Sequence, residues 1–185
     1  MENHKHILIT FDGLSGSGKT RLAKAVADTI GAYYISTPTN PLKDIRSEIT
    51  SIQSQESRFL YYLANIAQIS SELPDMLQHK SVVIDKYVYT TLAYAYSRNN
   101  SISLPEFLTV KRPDLGFLVT CDEKTRINRI LSREGSLDFR SPEMTQREKV
   151  ILEKLQTFGL IEIDNSDNPN SALETISELI NKTSR

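Results

Sequence analysis

The sequence has 185 residues, which suits one domain with a single core. Its formal net charge of −1 argues against non-specific nucleic-acid binding, which needs a strong excess of basic residues. Cys121 is the single cysteine, so the chain cannot form an internal disulfide. The apolar run at residues 7–11 is too short for a signal sequence or a membrane span. These features predict a cytoplasmic protein that binds neither nucleic acid nor membrane.

Strand and helix patterns alternate along the chain, without an internal repeat or a linker. Short apolar runs that end at a glycine or an aspartate are typical of buried parallel strands, and apolar residues three and four apart are typical of helices. In chain order, the predicted elements are strand His6–Asp12, helix Lys19–Ile30, strand Ala32–Ile35, helices Leu42–Ile52 and Ser57–Leu77, strand Ser81–Asp85, helix Tyr87–Ser97, strand Asp114–Thr120, helices Glu123–Arg133 and Glu143–Phe158, strand Leu160–Asp164 and helix Asn170–Asn181. Pro74 is expected to kink or end its helix.

This alternation predicts a three-layer α/β/α domain whose five-stranded parallel sheet has helices on both faces. In such sheets, ligands bind at the carboxyl ends of the strands. The residues that directly follow strands therefore carry the functional information. They lie at Asp12–Thr20, Ser36–Asn40, Asp85–Tyr87 and Thr120–Asp122.

A glycine-rich segment from Gly13 to Thr20 fits the pattern G-x-x-x-x-G-K-[ST] and lies between a predicted strand and a predicted helix. Such a loop turns successive backbone N–H groups toward an anion, and the helix that follows adds its positive end. The lysine reaches the β- and γ-phosphates of a nucleotide, and the hydroxyl group binds Mg²⁺. The expected binding residues are Gly13, Ser15, Gly16, Ser17, Gly18, Lys19 and Thr20. The alternative is a glycine-rich turn with a surface lysine.

Two aspartates at strand ends are candidate catalytic residues. Asp85 closes the strand Ser81–Asp85, where an aspartate of a phosphate-loop enzyme holds Mg²⁺ directly or through water. The alternative role of Asp85 is to cap the helix that follows it. Asp12 lies one residue before the loop, where it could position Mg²⁺ or an acceptor hydroxyl, or could brace the loop.

Four stretches together resemble the thymidylate kinase family of nucleoside monophosphate kinases. The segment Phe11–Thr20 resembles that family's F-E-G-x-x-G-x-G-K-[ST], and Asp85–Tyr94 resembles D-R-Y-x-x-S-S-x-A-Y. In addition, Arg112–Leu115 resembles K-P-D-L, and Leu60–Gln68 resembles the L-F-A-A-D-R-A-Q helix. The resemblance implies a P-loop NTPase fold with a short lid, ATP as phosphate donor, Mg²⁺ as cofactor, a nucleotide-like acceptor and a homodimer.

The chain departs from this family in its acceptor half. Lys86 stands where the family has an arginine, so the charge remains but the bidentate fork is lost. Ile66 replaces an arginine that contacts the base, and residues 36–38 lack the arginine that contacts the acceptor phosphate. Tyr62 stands where the family has a phenylalanine that stacks on the base, so an aromatic ring remains at this position. The expected acceptor contacts are Thr37, Arg46, Tyr62, Lys86 and Tyr94.

Three arginines flank the segment Glu134–Phe139, in the stretch of about residues 133–142 that the resemblance identifies as a lid. Arginines stabilise the charge that develops on a phosphoryl group in transfer. Arg133 and Arg140 are expected to close over the phosphates, with Arg129 as a third candidate, because glycine and serine beside them permit closure. The alternative is that all three are solvated helix charges.

Three functions are compatible with these residues. The first is a nucleoside monophosphate kinase of thymidylate kinase type. The second, which the missing arginines favour, is a kinase of a nucleoside or another small hydroxyl compound, with Asp12 or Asp85 accepting the hydroxyl proton. The third is a nucleotide-binding regulatory protein with little turnover.

Overall fold

The sheet consists of five parallel strands in the order β2-β3-β1-β4-β5. The structure is a computed structural model that describes residues 5–135, 141–166 and 169–183. The strands are β1 Leu8–Asp12, β2 Tyr33–Ser36, β3 Val82–Asp85, β4 Leu115–Thr120 and β5 Ile161–Asp164. Every residue of the central strand β1 is buried, which explains its continuous apolar run. The predicted parallel sheet of five strands is confirmed.

Helices connect the strands and cover both faces of the sheet. The helices are α1 Lys19–Ile30, a 3-10 helix Leu42–Ile45, α2 Arg46–Ser51, α3 Gln55–His79, α4 Val88–Tyr96, α5 Glu123–Glu134, α6 Pro142–Gln156 and α7 Pro169–Thr183. Apolar residues of α1 and α7 form the core on one face. Apolar residues of α3, α4 and α6 form the core on the other face. The predicted three-layer architecture is therefore confirmed.

Two helical segments differ from the prediction. Helix α3 continues through Pro74 to His79, which excludes the alternative that Pro74 ends it, while a kink at Pro74 stays a prediction. A proline inside a helix costs about 3 kcal/mol. Burial of Ile66, Ile69 and Leu73, at about 1.5–3 kcal/mol each, outweighs that cost. The helix predicted at Leu42–Ile52 is divided into the 3-10 helix and α2.

The register of the strands places their carboxyl ends at one edge of the sheet. Phe11 in β1 and Ser36 in β2 both lie opposite Asp85 in β3. On the other side, Thr120 in β4 lies opposite Asp164 in β5. The loops after all five strands therefore meet above this edge, where ligands bind in sheets of this kind. Across the described ranges, no helix is both long and apolar enough to cross a membrane.

Candidate active site

The loop between β1 and α1 is held by residues far from it in sequence. Gly18 has φ of 90°, and a Cβ there would overlap Nδ2 of Asn165. This Nδ2 donates a hydrogen bond to the carbonyl oxygen of Ser17 at 2.8 Å. Arg129 donates to the same carbonyl at 3.3 Å and to the carbonyl of Asn165 at 2.8 Å. A glycine is therefore required at position 18, and the loop shape depends on α5 and on the end of β5.

Lys19 lies inside the site with only 5% of its surface exposed. Its Nζ donates a hydrogen bond to the carbonyl oxygen of Leu14, across the loop, at 2.8 Å. Burial lowers the pKa of Lys19 to about 8, and the charge of Lys86 acts in the same direction. The ammonium group is therefore in a position to exchange its carbonyl partner for an anion in the loop.

Thr20 and Asp85 bring two oxygen atoms together at the edge of the sheet. The Thr20 hydroxyl donates to Oδ2 of Asp85 at 2.6 Å. The second carboxylate atom, Oδ1, is buried and has no hydrogen-bond partner among the residues that the structure describes. Asp85 does not cap α4, because the N-cap of that helix is Tyr87. A hydroxyl and an underused carboxylate are suitable oxygen donors for Mg²⁺.

Protein groups alone supply few ligands at this place. No cluster of three or more His, Cys, Asp or Glu that could hold a metal occurs within the described ranges. Mg²⁺ is commonly bound through one or two protein oxygens together with substrate phosphates and water. The donor set of Thr20 and Asp85 fits that mode of binding.

Asp12 binds the beginning of α4. Its Oδ1 accepts hydrogen bonds from the backbone N–H of Tyr87 at 3.3 Å and of Thr90 at 2.8 Å. It also accepts one from the Thr90 hydroxyl at 2.6 Å. Burial raises the pKa of Asp12, although these hydrogen bonds oppose that shift. This carboxylate therefore joins β1 directly to the helix that carries Tyr94.

Arg133, one of the predicted lid arginines, is the last but one residue of α5. Its Nη2 donates to the Ser15 hydroxyl at 3.0 Å, and its Nε donates to Glu134 at 2.7 Å. Arg129, one turn earlier on the same helix, contacts the loop at the Ser17 carbonyl. Arg140 lies outside the described residues, so its predicted position stays a prediction.

Sequence reasoning missed a buried ion pair, Arg126–Glu148, whose arginine also contacts the phosphate loop. Arg126 is 4% exposed, and its two Nη atoms donate to the two carboxylate oxygens of Glu148 at 3.1 and 2.8 Å. It also donates to Glu123 and to the carbonyl oxygen of Ser15 at 3.1 Å. Burial lowers the pKa of Arg126, but the bonds to Glu148 and Glu123 outweigh burial and raise it. A pair 22 residues apart, on two helices, leaves no local sequence signature.

A cavity of about 910 Å³ extends from the phosphate loop toward α3 and α4. The predicted residues that line it are Gly13, Ser15, Gly16, Gly18, Lys19, Thr20, Thr37, Arg46, Tyr62, Lys86, Tyr94, Arg129 and Arg133. The lining also includes residues that were not predicted: Arg21, Lys24, Ala25, Asp28, Thr90 and Thr91. The two threonines match the S-S pair in the D-R-Y-x-x-S-S pattern, which was a signal that could have found them.

The acceptor end of the cavity combines aromatic rings with positive charge. Tyr62 lines it, whereas Tyr61 is buried and donates its hydroxyl to the Leu42 carbonyl at 2.7 Å. Lys86 has a left-handed backbone with φ of 67°, which is uncommon for a residue other than glycine. Ile66 is 1% exposed and belongs to the core, so the side chain that replaces an arginine does not reach the cavity.

A parallel α/β sheet, a phosphate loop that opens a helix, and a strand-end aspartate beside its threonine define a P-loop phosphotransferase. The family model described as thymidylate kinase matches residues 11–176. The chain belongs to the thymidylate kinase family and is an ATP-dependent nucleotide kinase. Kinases of this family transfer a phosphoryl group from ATP to a nucleoside monophosphate.

Individual relatives agree with this assignment. A probable thymidylate kinase of Methanococcus maripaludis is 29% identical over 167 residues, covering 86% of this chain and 78% of the relative. The thymidylate kinase of Leptospira interrogans is 26% identical, covering 97% of this chain and 96% of the relative. Among solved structures, thymidylate kinase from Candida albicans superposes with a TM-score of 0.76 at 17% identity, covering 98% of this chain and 94% of that chain. This last likeness supports the fold.

Proposed function

We propose that this chain transfers the γ-phosphoryl group of ATP to the phosphate of a nucleoside monophosphate whose base lies between Tyr62 and Tyr94. The observation that carries the proposal is that Lys19 of the phosphate loop and these two tyrosines line the same cavity. Catalysis then consists of positioning two phosphates in line and stabilising the charge between them. No general base is needed, since a phosphate acceptor is already ionised.

The donor side of the site would be organised by the loop and by α5. The loop N–H groups and Lys19 hold the β- and γ-phosphates, while Ser15, Gly16 and Ser17 shape the loop around them. Thr20 and Asp85 would hold Mg²⁺, which neutralises phosphate charge when it is bound. Arg133 already lies against the loop through the Ser15 hydroxyl, and Arg129 lies against it through the Ser17 carbonyl. Arg133 and Arg140 supply the transferring group with positive charge.

The acceptor side would be organised by α2, α3 and α4. Lys86 and Arg46 line the cavity and provide the positive charge that the acceptor phosphate needs. The Thr37 hydroxyl donates to the Lys86 carbonyl at 2.8 Å and so holds this lysine at the cavity edge. Tyr62 provides a ring on which a base can stack. A homodimer remains an expectation from the family, and light scattering on the purified chain tests it.

The proposal is tested by ADP release from ATP–Mg²⁺ across a panel of nucleoside monophosphates and free nucleosides. We expect a monophosphate to accelerate release at least 100-fold over the rate without acceptor, with the Lys19→Ala variant as blank. Acceleration by a nucleoside alone would overturn the proposal in favour of a nucleoside kinase. The observation that favours this second candidate is the absence of an arginine at residues 36–38 and at position 66.

A change in proton binding is expected at Lys19 when ATP binds. With a pKa of about 8 in the free protein, Lys19 is about 90% neutral at pH 9. Nearby phosphates favour the charged form, so ATP binding at pH 9 should take up about 0.9 proton. Titration calorimetry in two buffers of different ionisation enthalpy measures this uptake. The Lys19→Met variant should lack it, and equal uptake in both proteins would contradict the assignment.

A further inference from the structure

Two carbonyl groups of the phosphate loop are held by buried side chains that belong to other elements. The Ser15 carbonyl accepts a hydrogen bond from Nη1 of Arg126 at 3.1 Å, and the Ser17 carbonyl accepts one from Nδ2 of Asn165 at 2.8 Å. The exposed fractions of Arg126 and Asn165 are 4% and 3%, and neither residue lines the cavity. Both carbonyl groups are therefore directed into the protein interior, away from the cavity.

The same two peptide groups carry the N–H groups of Gly16 and Gly18. These peptide bonds are trans and planar, so the carbonyl and the N–H of each point in opposite directions. A carbonyl fixed toward the interior therefore turns its N–H toward the cavity, which both glycines line. In the part of the chain that the structure describes, neither N–H donates to a backbone carbonyl. Both donors are suited to bind phosphate oxygens.

Glycine makes these two peptide groups easy to rotate unless their carbonyls are fixed. Gly16 and Gly18 have φ of 85° and 90°, a region that glycine enters about as readily as it enters negative φ. The loop backbone also lies directly against α5, since a Cβ at Gly16 would lie 2.8 Å from the Arg126 carbonyl oxygen. Donors that are aligned before the reaction stabilise developing charge without a cost of reorganisation. The contacts to the Ser15 and Ser17 carbonyls supply such an alignment.

We propose that Arg126 and Asn165 are positioning residues for phosphoryl transfer, each of which fixes one peptide plane so that the N–H of Gly16 and the N–H of Gly18 stay directed at phosphate oxygens. The inference rests on the proposed function, because it takes the loop to hold the phosphates of ATP. It extends that function to two residues that lie outside the cavity. Arg129, at 3.3 Å from the Ser17 carbonyl, reinforces the second contact.

Glycine amide signals in an NMR spectrum test the inference on the full chain. The chain has seven glycines, so a sample labelled with ¹⁵N-glycine gives a simple spectrum. The probes are pyrophosphate, which occupies only the loop, and ADP with Mg²⁺. In the wild-type protein, both probes should move the amide protons of Gly16 and Gly18 downfield, because each N–H then donates to an anionic oxygen. Gly31, at the far end of α1, should not move and is the internal reference.

Two variants are expected to separate these two amides. The double variant Arg126→Met/Glu148→Leu removes the contact with the Ser15 carbonyl without leaving a buried charge unpaired. It should reduce the downfield shift at Gly16 and retain the shift at Gly18. Asn165→Ala should have the opposite effect. Unchanged shifts in both variants would overturn the inference, as would an equal loss at both glycines in each variant, which would indicate a general change of loop shape.

Binding and turnover provide a second readout. Each variant should bind pyrophosphate about 10-fold more weakly in calorimetry, since one charge-assisted contact contributes about that factor. The turnover number should fall about as much, while the KM for the nucleoside monophosphate changes less than about threefold, because the acceptor contacts are retained. Asn128→Ala, which truncates an exposed asparagine on α5, is the control and should behave as the wild-type protein. Equal changes in KM and turnover number would contradict a positioning role.

Failure of the proposed function is recognised separately. If the two variants separate the glycine amides but no monophosphate accelerates ADP release in the wild-type protein, the positioning roles stand and the kinase proposal fails. If a monophosphate accelerates ADP release and the amide shifts are the same in all proteins, the kinase proposal stands and the positioning roles are refuted.

Discussion

Replacement of Lys19 by alanine is expected to lower the turnover number at least 100-fold, which is the usual effect of removing a preorganised donor from a transferring group. Its ammonium group is buried beneath the phosphate loop, and within the described part of the chain its hydrogen-bond partner is the carbonyl oxygen of Leu14. Nothing else in the loop segment from Gly13 to Thr20 carries a positive side chain. Steady-state ADP release with the best monophosphate measures the effect.

The matched control is Lys24→Ala, which removes a lysine that lies on the same helix and at the margin of the same cavity. Its Nζ lies 5.7 Å from the ring centroid of Tyr34 and contacts no loop carbonyl in the described structure. We expect a change below about threefold, as for a weak exposed interaction. A similar loss in both variants would show that Lys19 acts only through general charge.

Replacement of Arg126 by methionine is expected to reduce the free energy of unfolding by about 3–5 kcal/mol, since it breaks a buried ion pair from one side. The side chains of Arg126 and Glu148 are 5% and 9% exposed, so solvent screens the pair little. Urea unfolding followed by circular dichroism measures the loss. The double variant Arg126→Met/Glu148→Leu should regain most of it, because the remaining partner, Glu123, is exposed and no buried charge is then left unpaired.

The surface pair of Arg133 and Glu134 provides a control for this prediction. Its side chains are 58% and 45% exposed, and exposed pairs contribute about 0–1 kcal/mol. Arg133→Met should therefore leave stability within about 1 kcal/mol of the wild-type protein. If Arg126→Met were no more destabilising than Arg133→Met, the pair with Glu148 would not support the loop.

Local patterns were sufficient to predict the glycine-rich loop at Gly13–Thr20 together with the strand and the helix on either side of it. The G-x-x-x-x-G-K-[ST] segment and the apolar runs before it specify a loop between a buried strand and a helix, and α1 begins and ends at the predicted residues. The role of Asp85 could not be decided from the sequence, because an aspartate at the end of a strand is suited both to binding a metal ion and to capping the following helix. The N-cap of α4 is Tyr87, which excludes the cap, and Asp85 instead accepts a hydrogen bond from Thr20, 65 residues away.

Interactions between residues far apart in the sequence could not be predicted from local sequence patterns. Asn165 holds the loop carbonyl of Ser17 from 148 positions away, and the Arg126–Glu148 pair joins two helices. The ends of helices also depended on tertiary packing. Helix α3 passes through Pro74 because the free energy gained by burying its apolar face exceeds the cost of a proline inside a helix.

The contact between Asp12 and α4 has a consequence for how this enzyme can diverge. Because Asp12 directly precedes the phosphate loop and holds α4 by the backbone N–H of Tyr87 and Thr90, the separation between the donor phosphates and the acceptor helix depends on the main chain. Side chains further along α4 can therefore be exchanged without altering the path of the phosphoryl group. Acceptor preference is therefore expected to change by substitution more readily than the distance over which the phosphoryl group moves.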